Sequence, residues 1–199
     1  ITLILATFGI ALAFPVAVFV ALGRRSSKLP AVKVLCVLYV ELIRGVPLIS
    51  VLFMASFILP LFMPHGGTID VLARVLIGMT LFTTAYLAEV VRGGLQSLPK
   101  GQIEAAQSIG LGYWQTQRKI VLPQALRRVA PPLLNDFISL QKDVALVSVL
   151  GPLEAFRVAQ IEAASGFIYT PLVAAAALYL CVTVPLARIL DRWERKRRR

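Results

Sequence analysis

The apolar residues of this chain come in blocks too long for a water-soluble fold of 199 residues to bury. A helix that crosses a bilayer needs about 20 mostly apolar residues, and the chain has room for about five such helices. Hydrophobic residues make up 58% of the sequence and charged residues 16%, against about 45–50% and 25% in soluble domains. We therefore expect an all-α membrane protein, with residues 1–199 forming a single transmembrane domain.

Residues 1–22 form the first expected span, broken by Pro15 and closed by Gly23-Arg24-Arg25. Lys28, Pro30 and Lys33 make a short basic loop. The apolar region 34–63 is too long for one straight span, and Gly45 and Pro47 lie inside it. It reads as a helix to about Arg44, a kink, and a span over 46–61. Pro64-His65-Gly66-Gly67 is a turn, and the third span covers 69–91. A polar, basic stretch follows over 92–128, then a fourth span over 129–150 ended by Gly151-Pro152. Residues 154–167 read as an amphipathic helix, 170–189 as the last span, and 192–199 as a basic tail.

The cations set the orientation. One set of loops holds Arg24, Arg25, Lys28 and Lys33, then Arg92, Lys100, Arg118, Lys119, Arg127 and Arg128, then Arg188 and the tail. The opposite loops hold Arg157, with Arg74 near the start of the third span. Positive-inside bias predicts N-out and C-in, with the segment of about 93–128 in the cytoplasm. The net charge of +11 is thereby explained, and no nucleic-acid module is present. The tail reads as a topological anchor in contact with lipid headgroups. Cys36 and Cys181 lie in apolar stretches without metal-ligand neighbours, so packing is their expected role and no metal site is expected. The chain opens on Ile1 within an apolar run, which predicts a natural N-terminus further upstream.

The cytoplasmic segment contains Glu104-Ala105-Ala106-x3-Gly110-x9-Ile120-x-Leu122-Pro123. Pro99 and Gly101 precede a short expected helix from Gln102 to about Ile109, whose small Ala105 and Ala106 allow another surface to approach closely. Gly110 suits the left-handed residue that ends a helix. A second helix is expected from about Trp114, with Ile120 and Leu122 apolar, and Pro123 able to begin or redirect the next helix. The product is a bent helix pair protruding from the membrane, shaped to enter a groove on a partner.

Those residues resemble the cytoplasmic coupling (EAA) motif of ABC-importer permeases, in particular the polar amino acid class of histidine, glutamine, glutamate, arginine and opine importers. Three further stretches match in order and register. They are Tyr39-Val40-Glu41-Leu42-Ile43-Arg44-Gly45-Val46-Pro47-Leu48, then Ala88 to Gly94 with Pro99 to Gln102, then Lys142-Asp143-x2-Leu146-Val147-Ser148-Val149-x-Gly151. The match covers about residues 31–190. The class often has Asn-Ser or Asn-Thr where this chain has Thr83-Thr84, and Thr-Ser where it has Val144-Ala145, both less polar here.

The resemblance implies a type I importer fold in a bacterial cytoplasmic (inner) membrane. The implied partners are a cytoplasmic ATPase dimer, an extracytoplasmic substrate-binding protein and a second permease, identical or sister. It implies a polar amino acid as substrate, with ATP and Mg on the ATPase and no cofactor in this chain. Glu104, Ala105, Ala106, Gly110, Ile120, Leu122 and Pro123 would then contact the ATPase. No Gly-x4-Gly-Lys-Ser/Thr occurs, and the only histidine, His65, has no nucleophile to serve, so no catalytic residue is expected.

Ionisable groups inside a bilayer cost about 2.5–3.5 kcal/mol each, so they pair or line cavities. Glu41 and Arg44, and Glu89 and Arg92, stand three apart and are expected to pair. Lys142 and Asp143 are adjacent and do not face each other, so each is either an interhelical stitch or a gate element or pathway wall. Glu154 is either a helix-capping carboxylate or, in the resembling family, near the substrate. Thr84 and Tyr86 either face the pathway from the third span or bond a neighbouring helix, and Ser148 completes the pathway candidates. The competing classes are an ion channel or uncoupled carrier, and a membrane anchor without transport.

Overall fold

The computed structural model describes residues 2–26, 29–63, 69–150, 155–166 and 169–198. The described residues form helices and no strands. The first is α1 (Thr2–Arg24), followed by α2 (Pro30–Arg44) and α3 (Leu48–Phe53). A π-helical turn over Met54–Ile58 and a 3-10 turn over Leu59–Phe62 extend α3. Then come α4 (Val71–Gln96), α5 (Gly101–Ser108) and α6 (Tyr113–Thr116). Another π turn, Gln117–Val121, leads without interruption into α7 (Leu122–Asp143), which tightens into a 3-10 stretch over Val144–Leu150. The last helices are α8 (Ala155–Gly166) and α9 (Thr170–Arg198).

Three core clusters stacked along the bundle give the helix directions. The first joins Leu5 and Ala6 to Leu52, Val75, Met79 and Leu140. The second joins Ala13 and Ala17 to Val40, Ala85 and Ala88, with Leu133 against them. The third joins Ala21 and Leu22 to Val91, Leu95, Val121 and Ala125. Helices α1 and α4 pass through these layers in the same order, so they run parallel. Helix α7 passes through them in reverse. These relative directions match a chain in which the first and third spans enter and the fourth returns.

Small residues set the closest approaches. Ala6, Ala13, Ala17 and Ala21 are fully buried along one side of α1, which lets the α1 and α4 backbones pack tightly where apolar lipid offers no hydrophobic drive. At Gly94 a Cβ would collide with the Val129 side chain and stand 3.1 Å from the Ala125 carbonyl, so α4 and α7 cross against bare backbone.

Two of the prolines behave differently from expectation. Pro15 lies inside α1 without breaking it; a missing donor to the Ala11 carbonyl costs one hydrogen bond, and neighbouring helices hold the rest in register. At Pro47 the effect is larger than a kink. Pro47 takes an extended backbone at the start of α3 and disfavours helix at Val46, and the two helices meet at 108°. Pro123 stands at the second position of α7, as expected of a proline that opens a helix, and the π turn just before it spans Lys119, whose carbonyl lacks the Pro123 donor.

Among the described residues three helices are long and apolar enough to cross a membrane, Leu3–Arg24, Val71–Gln96 and Thr170–Arg192, and the bent pair Pro30–Arg44 with Leu48–Phe62 makes a fourth if it counts as one. The fourth expected span corresponds to α7, which is not among them. It starts earlier, at Leu122, carries Arg127, Arg128, Asp136, Lys142 and Asp143, and ends at Asp143 rather than near Leu150. The turn expected at 64–67 and the break at Gly151-Pro152 lie outside the described residues.

The glycine pair on α4 gives a direct check. Gly93 has nothing within 4 Å of a built Cβ, so Gly93→Ala should stabilise the helix slightly, by about 0.5–1 kcal/mol. Gly94→Ala should cost about 1–3 kcal/mol by overpacking. Thermal unfolding of the purified variants in detergent measures both, and equal melting temperatures would contradict the crossing.

Candidate functional site

Helix α5 follows the Pro99 turn and carries Glu104 in its first turn, where a carboxylate complements the helix dipole. Its end follows from Gly110, which takes φ +78°. The Leu111 N–H donates to the Ala106 carbonyl at 3.1 Å and the Gly110 N–H to the Gln107 carbonyl at 2.9 Å. That pair of bonds is the Schellman closure, which a residue with a Cβ makes only under strain. After the turn, the Gln115 side chain accepts from the Gly112 N–H at 3.2 Å and starts α6.

One side of this helix pair is anchored. Ala106 is buried, and Ile103 packs against the third core cluster. Gln124 of α7 donates to Gln102 at 3.0 Å, and Arg128 of α7 donates to the carbonyl and hydroxyl of Ser97. The other side is open: Glu104, Ala105 and Gly110 are exposed, together with Ile109, Tyr113 and Trp114. Ile120 and Leu122 are half-buried and Pro123 exposed beyond the turn. The seven motif residues are thus brought into one protrusion at the end of the bundle that also carries Arg24, Arg25 and Arg92.

At the root of the protrusion lies an ion cluster centred on Glu89 of α4. Arg24 of α1 reaches it at 2.6 Å, Arg92 binds it within the same helix, and Arg44 of α2 stands 3.9 Å away. Glu41 was expected to pair with Arg44; it pairs instead with Arg24 at 3.0 Å. Arg44 lies instead over the Tyr86 ring of α4, 5.5 Å from its centroid. The Glu89–Arg92 pair stands as expected. Arg24 was legible only as a loop cation, because its partners lie 17 and 65 residues away.

The pathway candidates do not converge. Thr84 is buried and its hydroxyl donates to the Ala13 carbonyl of α1 at 3.5 Å. Tyr86 packs on Phe82, ring centroids 4.7 Å apart, beneath Arg44. Lys142 is exposed and Asp143 half-buried in the last turn of α7, and Ser148 lies in the 3-10 stretch beyond. Glu154 lies outside the described residues. Spacing did not single out a polar row on α7. Arg128, Pro132, Asn135, Ser139 and Lys142 follow one another at four- and three-residue steps, hence on one helix face, and all are exposed.

Arg74 is a second residue that spacing missed. Pro60 has no N–H to give the Ser56 carbonyl, and Arg74 donates to that oxygen at 2.5 Å. Its role is to mend the helix ladder beyond α3. Among the described residues no cluster of His, Cys, Asp and Glu is arranged to hold a metal ion.

A family model described as the inner membrane component of binding-protein-dependent transport systems matches residues 6–199. The inner membrane amino-acid ABC transporter permease protein YhdY of Escherichia coli is 56% identical over 160 residues, covering 80% of this chain and 43% of its own length. The glutamate/glutamine/aspartate/asparagine transport system permease protein BztC of Rhodobacter capsulatus is 41% identical over 204 residues, covering 100% of this chain and 47% of its own. The chain thus spans less than half the length of either relative. Among solved structures, the crystal structure of an amino acid ABC transporter with histidines superposes with a TM-score of 0.84 at 32% identity, over 98% of this chain and 90% of that one.

The ion cluster ranks its two carboxylates. The Glu89 side chain is 24% exposed and serves three helices, whereas that of Glu41 is 61% exposed and binds one arginine. Glu89→Gln should lower stability by about 1.5–3 kcal/mol, the usual worth of hydrogen bonds to a charged group, and Glu41→Gln by under about 1 kcal/mol. Detergent melting curves of the two variants give the order, and the reverse order would refute the hub.

Proposed function

Because the chain belongs to the family of binding-protein-dependent transport system inner membrane components, we propose that it forms the membrane pathway of an ATP-driven amino acid importer and that its α5–α6 protrusion receives the ATPase. The open face of that protrusion carries the reading. Ala105 and Gly110 present little bulk beside the Glu104 carboxylate, while the other side of the helix pair is pinned to α4 and α7. A partner can therefore seat against it and move it without unfolding it. The basic end of the bundle is the side the positive-inside rule assigns to the cytoplasm, where the ATPase works.

In this mechanism the ATPase dimer binds ATP and Mg and closes, the docked protrusions approach each other, and the spans turn their opening outward. An external binding protein delivers a polar amino acid. Hydrolysis then restores the inward-facing state. The polar row on α7 supports a pathway beside that helix, since lipid is a poor neighbour for Arg128, Asn135, Ser139 and Lys142. A second permease, identical or sister, would face that row and complete the pathway, with Lys142, Asp143 and Ser148 toward its outer half. Thr84 and Tyr86 hold the α1–α4 and α2–α4 contacts behind it. The amino acid names of the two relatives support the cargo class.

A channel or uncoupled carrier is the rival reading. Vesicles containing the permease alone should show no amino acid flux, while those with ATPase, ATP and binding protein should accumulate substrate; flux through the permease alone would favour the rival. Gly110 tests the dock. A side chain there meets nothing within 4 Å in this chain and points toward the partner, at a backbone cost of about 1–2 kcal/mol for leaving glycine. Gly110→Leu should reduce ATP-driven uptake at least about tenfold while the protein still folds, and Gly110→Asn, which tolerates this backbone, should lose less. Unaltered uptake in Gly110→Leu would sink the docking assignment.

A further inference from the structure

Two clefts meet where the last turn of α1 passes the α5–α6 protrusion. The first, of about 390 Å³, is walled by α5 and by the start of the π turn. Thr116 and Gln117 line it. They are only 3% and 7% exposed, and the Thr116 hydroxyl and the Gln117 carbonyl oxygen have no hydrogen-bond partner among the described residues. Buried polar atoms left open in this way call for a partner, from water or from a bound molecule, and these two line a cleft with room for one. The second cleft, of about 450 Å³, is apolar, with Phe19, Leu29 and Val32 in its wall and Trp114 at its edge. The two share Leu22, Arg25 and Tyr113.

The occupant must therefore be an amphiphile. Its head has to satisfy a guanidinium, a hydroxyl and an amide carbonyl, and its tail has to lie against Phe19 and Val32, both exposed on the bundle surface. Arg25 calls for an anion. Thr116 donates well to a phosphate oxygen. The Gln117 carbonyl oxygen only accepts, so the head must also carry a donor. Tyr113 and Trp114 are the ring types that favour the membrane–water boundary. We propose that this double cleft binds an anionic glycerophospholipid whose headgroup bears free hydroxyls, with phosphatidylglycerol as its simplest member. The phosphate sits against Arg25 and Thr116, a headgroup hydroxyl donates to Gln117, and one acyl chain fills the apolar cleft. A lipid held there touches α1, α2 and the protrusion together, so it stiffens the joint between the dock and the bundle. The assignment requires only that this end of the bundle lies at a membrane surface, and is independent of which cargo moves.

The test uses the complete transporter with its ATPase, extracted in mild detergent. Native mass spectrometry should find phosphatidylglycerol retained on the wild type and reduced at least about fivefold in Arg25→Gln combined with Gln117→Leu. Thr116→Val, which keeps the volume, should reduce it less, and Arg25→Lys should preserve part of it. Melting curves identify any variant that has lost its fold, and Thr116→Val then carries the comparison. In phosphatidylcholine nanodiscs, ATP hydrolysis should rise saturably with added phosphatidylglycerol, and the double variant should need several times more. Equal retention in wild type and double variant would overturn the proposal. So would full replacement by phosphatidylethanolamine, which lacks the net charge, or displacement of the lipid when the ATPase docks. Displacement by free glycerol phosphate at matched concentration would mean that a soluble phosphate compound is the occupant, and would overturn it too.

Discussion

The parallel seam between α1 and α4 is the contact on which the rest of the bundle is assembled. Its alanines remove side-chain volume where the two backbones meet, so dispersion contacts and the Thr84–Ala13 hydrogen bond replace the hydrophobic drive that a bilayer does not supply. Helices α2, α3 and α7 each pack against α4, and α2 and α7 touch α1 as well. Helix α7 crosses α4 at Gly94, α3 packs on it through Gly78 and Ala55, and α2 is held by the Tyr39 hydroxyl on the Leu81 carbonyl at 2.5 Å. The Glu89 cluster then closes the same seam at its basic end with charge, where packing alone would leave three arginines facing one another.

Much of this was legible because it is local. The apolar blocks foretold α1, α4 and α9, and the Pro99–Gly110 stretch foretold α5 together with the positive φ that ends it, since caps and breakers act within a few residues. The basic loops foretold which end carries the protrusion. What was not legible depends on distance in sequence. Nothing in the spacing of Arg24 says that Glu41 and Glu89 come to it, and the i,i+3 rule pointed Glu41 at Arg44 instead. Which helices pack beside α2 decided between them: α1 brings Arg24 to Glu41, and α4 brings Glu89 and Tyr86 to Arg44.

The prolines carry a second lesson. Each one in a helix removes a donor, but the outcome depends on what stands opposite the orphaned carbonyl. At Pro60 the answer is Arg74, a cation that read in isolation as a topological charge. At Pro123 it is a π turn. At Pro15 the helix continues with packing alone to hold it. Sequence identifies the missing bond; only the neighbours determine its repair.

That second π turn has a consequence for how force travels. From Tyr113 to Asp143 the backbone is helical throughout, a rod of roughly 45 Å at about 1.5 Å per residue. A sideways displacement at Trp114 passes into α7 as tilt or axial rotation, with Gly94 as the nearest fulcrum and Pro131-Pro132 as the weakest point of its hydrogen-bond ladder. The wider turn at Gln117–Val121 works as a swivel in that rod, setting the angular phase of the protruding end apart from that of the Arg128–Lys142 row. One continuous element is therefore a crank, with its handle outside the bundle and its blade along the polar face.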